Sequence, residues 1–144
     1  MQQIFKSLFP EFPDSSRVWL YLSNRKLVDT EAQDLNKKLI PFLKNWSAHG
    51  KNLKCNATLL FSQYLIFVVD QNEESASGCS IDSSVHFIKE VGMELGLDFF
   101  TRSDVLVVEG TQTTLLSYTD AVEQKKSFIN PMITELSELR KIEF

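Results

Sequence analysis

The chain has 144 residues, 43% of them hydrophobic, with fifteen basic against nineteen acidic side chains and a formal charge of −4. That length suits a single domain, 1–144, able to bury a core without metal or disulfide staples, and the mild negative charge has the wrong sign for a general nucleic-acid binder. The start Met1 to Lys6 lacks the basic and then apolar order of a signal peptide, and no apolar run reaches the roughly 18–20 residues that span a bilayer, so the expectation is a cytoplasmic protein with neither nucleic acid nor membrane as partner.

Ile4, Phe5, Leu8, Phe9 and Phe12 suit a short helical turn or an arm packed on the body. Val18 to Leu22 is apolar without a polar side, the pattern of a strand buried on both faces. Thr30 with Gln33 resembles a capping box, and Leu35, Leu39, Phe42, Leu43 and Trp46 recur at helical spacing, which predicts a helix over about 30–47. Pro41 predicts a kink or break near Lys37 to Ile40, and Gly50 reads as the left-handed cap that ends the helix.

From Leu53 the period changes to two, with Cys55, Ala57 and Leu59 inward, as for an edge strand. Phe61 to Gln63 then separates it from Tyr64 to Val69, a run that suits a central strand reached by a hairpin. Residues 71–82 read as a loop, with Asp82 capping a helix that carries Val85, Ile88, Val91 and Leu95 and ends at Gly96. Val105 to Val108 supplies a fourth strand. A helix over about Asp120 to Phe128 and another opened by Asn130-Pro131, with Met132, Ile133, Leu136 and Leu139 on one face, complete the chain.

Strand, helix, strand, strand, helix, strand predicts an α+β sandwich: a ferredoxin-like β-α-β-β-α-β core over about 17–109, followed by a C-terminal helical segment over about 115–144. Two crossover helices cover one sheet face only. The other face is expected to be buried by the Met132 to Leu139 stripe or by a second copy of the chain in a homodimer, and the intramolecular cover is favoured because it loses less translational freedom.

Chemistry concentrates at Ser77, Gly78, Cys79, Ser80, Asp82 and His86. A helix start offers free amides and a positive dipole end, which hold anions and lower a thiol pKa, and Asp82, His86 and Glu90 share one helical stripe. The crossovers predict that His49 emerges at the same sheet end. Cys79 with His86 or His49 as base is therefore the candidate catalytic set, and the same residues are the candidate anion or ligand site. The plainer account is commoner: Ser and Asp crowd ordinary helix starts for capping alone, and His49 caps a helix end. Trp19, Tyr21 and Trp46 have strand and helix spacing, so core packing explains them better than a stacking platform. The ligand count is too thin for a metal, Cys55 and Cys79 lack any CxxC spacing and are expected as free thiols, and no cofactor is called for.

Arg17 to Tyr21 with Asn24-Arg25, Trp46 to Gly50, and above all Ser77 to Asp82 through Val85 to Lys89 resemble a group of short bacterial proteins of undefined activity. Many of these carry the label "ABC transporter ATPase". The resemblance covers about 17–108 and implies a site region around Ser77 to Asp82. ATP hydrolysis does not follow from it, because GxxxxGK[ST], whose backbone cradles phosphates, is absent. The expected function is a non-catalytic module for a small anion or a protein partner, with a Cys79 enzyme as the alternative.

Overall fold

The computed structural model describes residues 2–144. Helix α1 (Gln2–Lys6) leads into strand β1 (Arg17–Leu22), helix α2 (Asp29–Asn45), the small strands β2 (Ser47–Ala48) and β3 (Lys51–Asn52), and the strands β4 (Lys54–Leu60) and β5 (Tyr64–Asp70). Helix α3 (Gly78–Leu95), strands β6 (Asp104–Glu109) and β7 (Gln112–Ser117), and helices α4 (Tyr118–Glu123) and α5 (Leu136–Arg140) follow. The fold is α+β with open antiparallel sheets.

Strand β5 is central because it is apolar on both sides. It pairs antiparallel with β1, Trp19 opposite Phe67, and with β4, Ala57 opposite the same Phe67, in the order β1-β5-β4. Its Leu65, Phe67 and Val69 pack with Leu35 and Leu39 of α2 and Ile88 and Val91 of α3. As the spacing predicted, the aromatic side chains are core: Trp46 lies 5.6 Å from Phe67 and 5.8 Å from Trp19, ring centre to ring centre, in edge-on contacts. Gly92 lets α3 turn tightly into the next segment, since a β-carbon there would sit 2.6 Å from the Leu97 carbonyl oxygen.

The opposite face, Tyr64, Ile66 and Val68, is covered from both ends of the chain. Phe5, Leu8, Phe9 and Phe12 come from the N-terminal arm, and Ile129, Ile133, Leu136 and Leu139 from the C-terminal segment. The intramolecular cover expected from the apolar stripe is therefore present, although Met132 points away from it and is 79% exposed. Each such side chain contributes about 1.5–3 kcal/mol when removed from water, so this second layer is a large share of the fold's stability.

Several predicted details change. The fourth strand, β6, forms no ladder with β1. It pairs with β7, a strand that the Thr-rich sequence hid, and its other edge is taken by 127–129, where Val108 N–H donates to Ser127 and Ile129 N–H to Leu106. The next stretch reaches β1, where Val18 N–H donates to Thr134 and Leu136 N–H to Ser16. The C-terminal segment thus occupies backbone groups on both strands that would otherwise have met.

Helix α2 begins at Asp29, its first turn capped by the Glu31 carboxylate, which accepts from Val28 N–H at 3.0 Å, in place of the expected Thr30 and Gln33. A two-pronged contact from Arg25 at 2.8 Å and that same amide hold the Glu31 carboxyl down at about 2. The helix runs through Pro41 without a break. The one carbonyl left without its amide donor belongs to exposed Lys37, where water can serve it. The helix ends at Asn45 rather than at Gly50. Asn130 does not open a helix: its side chain accepts from Met132 N–H in a turn, and α5 starts only at Leu136.

Candidate functional site

Helix α3 starts five residues earlier than expected, so Cys79, Ser80 and Asp82 lie in its first turns and the loop shortens to 71–77. Ser77 is the cap. Its hydroxyl accepts from Ser80 N–H while the Ser80 hydroxyl accepts from Ser77 N–H, both at 3.1 Å, a reciprocal pair that satisfies two otherwise orphaned amides. Asp82, expected as the cap, is instead exposed one turn into the helix.

Ser80 is also a bolt. Its hydroxyl donates to the Ser47 carbonyl at 2.6 Å, and its own carbonyl accepts from Trp46 Nε1 at 2.8 Å, so the first turn of α3 is fixed to the β2–β3 hairpin. The elements bearing His49 and Cys79 are therefore joined, as the crossover argument required. The residues have not become a catalytic set. His49 and Gly50 form the two-residue turn of the hairpin, with φ of 53° and 77°, a pair of left-handed residues that matches the twist of tight hairpins. His49 is accordingly an exposed hairpin tip and not a helix cap.

His86 Nε2 lies 3.0 Å from Glu90 Oε1 across one helical turn, with both side chains largely exposed. Among the described residues neither imidazole hydrogen-bonds Cys79 or Asp82, and Cys79 is an exposed thiol. Gly78 is not demanded by space, since a β-carbon there meets nothing within 4 Å. Of the predicted set, Ser77 and Ser80 are committed to capping and to the hairpin, while Gly78, Cys79, Asp82, His86 and His49 are surface residues around them. Among the described residues no cluster of His, Cys, Asp and Glu could hold a metal, and no helix is long and apolar enough to cross a membrane.

The two thiols should differ in reactivity. Cys55 is half-buried against α2, its Sγ 3.4 Å from the Leu43 carbonyl, and burial pushes its thiol up to about 11. Iodoacetamide at neutral pH should modify Cys79 at least about tenfold faster than Cys55 in the folded chain, read by mass spectrometry of the peptides. Equal rates would mean that the α2–β4 packing opens readily.

A deeper concavity than the Cys79 end offers lies elsewhere. A cleft of about 800 Å3 opens between the outer edge of β1, residues 85–93 of α3, the 97–104 connection and Pro131-Met132. Leu20, Leu22 and Tyr64 line it from one layer and Val85, Ile88 and Phe100 from the other. Met93 and Met132, 84% and 79% exposed, border it; Lys89, with its ammonium 5.5 Å from the Phe100 ring centre, and Arg102 bring positive charge, and Asp98 and Asp104 bring negative charge. No single motif marks this site, because its walls come from five separate stretches of the chain. The available signal was Met93, an apolar residue outside the buried stripe of its helix. No family model, no curated protein and no solved structure matches the chain.

Proposed function

We propose that this protein is a non-catalytic binding module whose ligand occupies the cleft beside β1 rather than the Cys79 end of the molecule. We read its core as a ferredoxin-like arrangement in which the place of the fourth strand, beside β1, is only partly filled. The observation that carries the reading is the cleft itself, apolar on two layers and bordered by two of the most exposed large apolar side chains of the chain. Flexible, polarisable methionines at the rim of an apolar concavity suit adaptable binding, and a pocket of this size with a few polar groups is the usual form of a ligand site. An enzyme built on Cys79 needs a base within hydrogen-bond reach of the thiol, and His86 is paired with Glu90 instead.

Fluorescence titration with anilinonaphthalene sulfonate, an apolar anion, tests the choice between the two ends. The wild-type chain should bind it, and Met93→Glu with Met132→Glu should weaken binding about tenfold by placing carboxylates against an apolar, anionic dye. Because both residues are exposed, the thermal midpoint should hardly move. Cys79→Ser should bind as the wild type does. If Cys79→Ser removes dye binding and the double methionine variant does not, the site belongs at the helix start.

A further inference from the structure

We infer that the occupant of the cleft is an extended peptide that joins the sheet as a strand along the outer edge of β1. The inference rests on the cleft being the binding site, and it concerns what kind of partner enters. Ser23 N–H donates to the Gln63 carbonyl at 2.9 Å, continuing the ladder to β5, so the odd-numbered residues of β1 turn their backbone groups toward β5. The even-numbered residues turn theirs outward, as the bond from Val18 N–H to Thr134 at 3.0 Å shows.

That outer edge is closed at both ends and open in the middle. Thr134 takes the Val18 amide; at the other end the Thr101 hydroxyl donates to the Leu22 carbonyl at 2.9 Å, and Asn24 N–H donates to Asp98 at 2.8 Å. Between them the Val18 carbonyl, both backbone groups of Leu20 and the Leu22 amide have no partner among the described residues. Leu20, Tyr21 and Leu22 line the cleft, so the free groups of Leu20 and Leu22 border it. Two donors and two acceptors in this order are what a short antiparallel or parallel strand satisfies, and a compact apolar ligand would leave them unmet.

The side-chain environment fits the same occupant. A strand laid against β1 would send alternate residues toward Leu20, Leu22 and Tyr64 on one layer and toward Val85, Ile88 and Phe100 on the other. A segment of about three residues, apolar on both sides and free of proline at the paired positions, is the chemistry that matches. A second copy of β1 does not fit, because its own edge carries the same closures at Thr134 and at Asp98 to Thr101, and two such edges meet at those segments before their open middles can pair.

The test uses the full chain and a set of capped hexapeptides with lysine ends and three-residue centres drawn from Val, Ile, Phe and Thr. By NMR hydrogen exchange, the Leu20 and Leu22 amides should exchange at least about tenfold faster than those of Trp19 and Tyr21 in the free protein, and should slow when the best peptide is saturating. N-methylation of that peptide at residues whose amides face β1 should weaken binding about tenfold, and methylation at the alternate residues much less. Leu20 and Leu22 amides already as protected as Tyr21 in the free monomer, or through dimerisation, overturn the proposal. Dye binding without peptide binding, or peptide binding indifferent to the register of methylation, overturns the strand while leaving the cleft as a ligand site; failure of both dye and peptide removes both readings.

Discussion

A chain ending at Lys126 should not form a soluble, folded monomer. The deletion removes Ile129, Ile133, Leu136 and Leu139, all at most 6% exposed, and uncovers Tyr64, Ile66 and Val68 on the central strand. At about 1.5–3 kcal/mol for each buried side chain, the four together approach the whole of a domain's usual stability of about 5–15 kcal/mol. The deletion also frees the edges of β1 and β6 that Thr134 and residues 127–129 now occupy, and exposed strand edges beside an apolar face are what drives association between chains. Gel filtration and circular dichroism should show aggregate or an unfolded chain. A truncated protein that elutes as a monomer and melts with the full-length chain would mean that the second layer contributes little and that the packing described for it is wrong.

Arg140→Met should destabilise the fold by about 2–4 kcal/mol, because this guanidinium ties the two ends of the chain together. It donates to the carbonyls of Leu8, Phe9 and Phe12 at 2.7–3.3 Å and to the Asp14 carboxylate at 2.6 Å, with only 18% of the side chain exposed. Phe9 is held at a φ of 49°, a left-handed conformation that a non-glycine residue adopts at a cost, so the arm's turn depends on the partner that gathers its carbonyls. Methionine keeps the apolar stem and loses the fork. Arg140→Lys should recover only a minor part, since one ammonium cannot reach three carbonyls and a carboxylate in a fixed plane. Urea unfolding measures both variants, and a loss under about 0.5 kcal/mol for Arg140→Met would show that apolar packing alone seats the arm.

Where one element's own pattern decides its state, the sequence was a sound guide. The unbroken apolar run 64–69 made β5 central, the alternation from Leu53 made β4 an edge strand with Cys55, Ala57 and Leu59 turned inward, and Gly96 ended α3 as a left-handed cap with φ of 69°. Those features depend on neighbours within a few residues. The errors fell where a short local signal had two readings that only distant contacts separate. His49-Gly50 satisfies either a helix end or a tight hairpin, and the bond from the Ser80 hydroxyl to Ser47 favours the hairpin. Ser77 and Asp82 both suit a cap, and the reciprocal bonds with Ser80 chose Ser77.

The sequence by itself determined the α+β class, the central strand, the helices on one face and the need for a cover on the other, because apolar periodicity states which sides of each element must leave water. It also brought together the right elements at the Ser77 to His86 end, since crossover helices return the chain to one end of a sheet. Only the tertiary structure decided what those residues do. Hydroxyls that read as chemistry are used by caps and by the hairpin, and the imidazole of His86 is turned to Glu90. The cleft likewise arose from a competition invisible in any single segment: residues 127–136 take part of the edges of β1 and β6, and what they leave unpaired on β1 is a matter of long-range backbone pairing, which no side-chain pattern records.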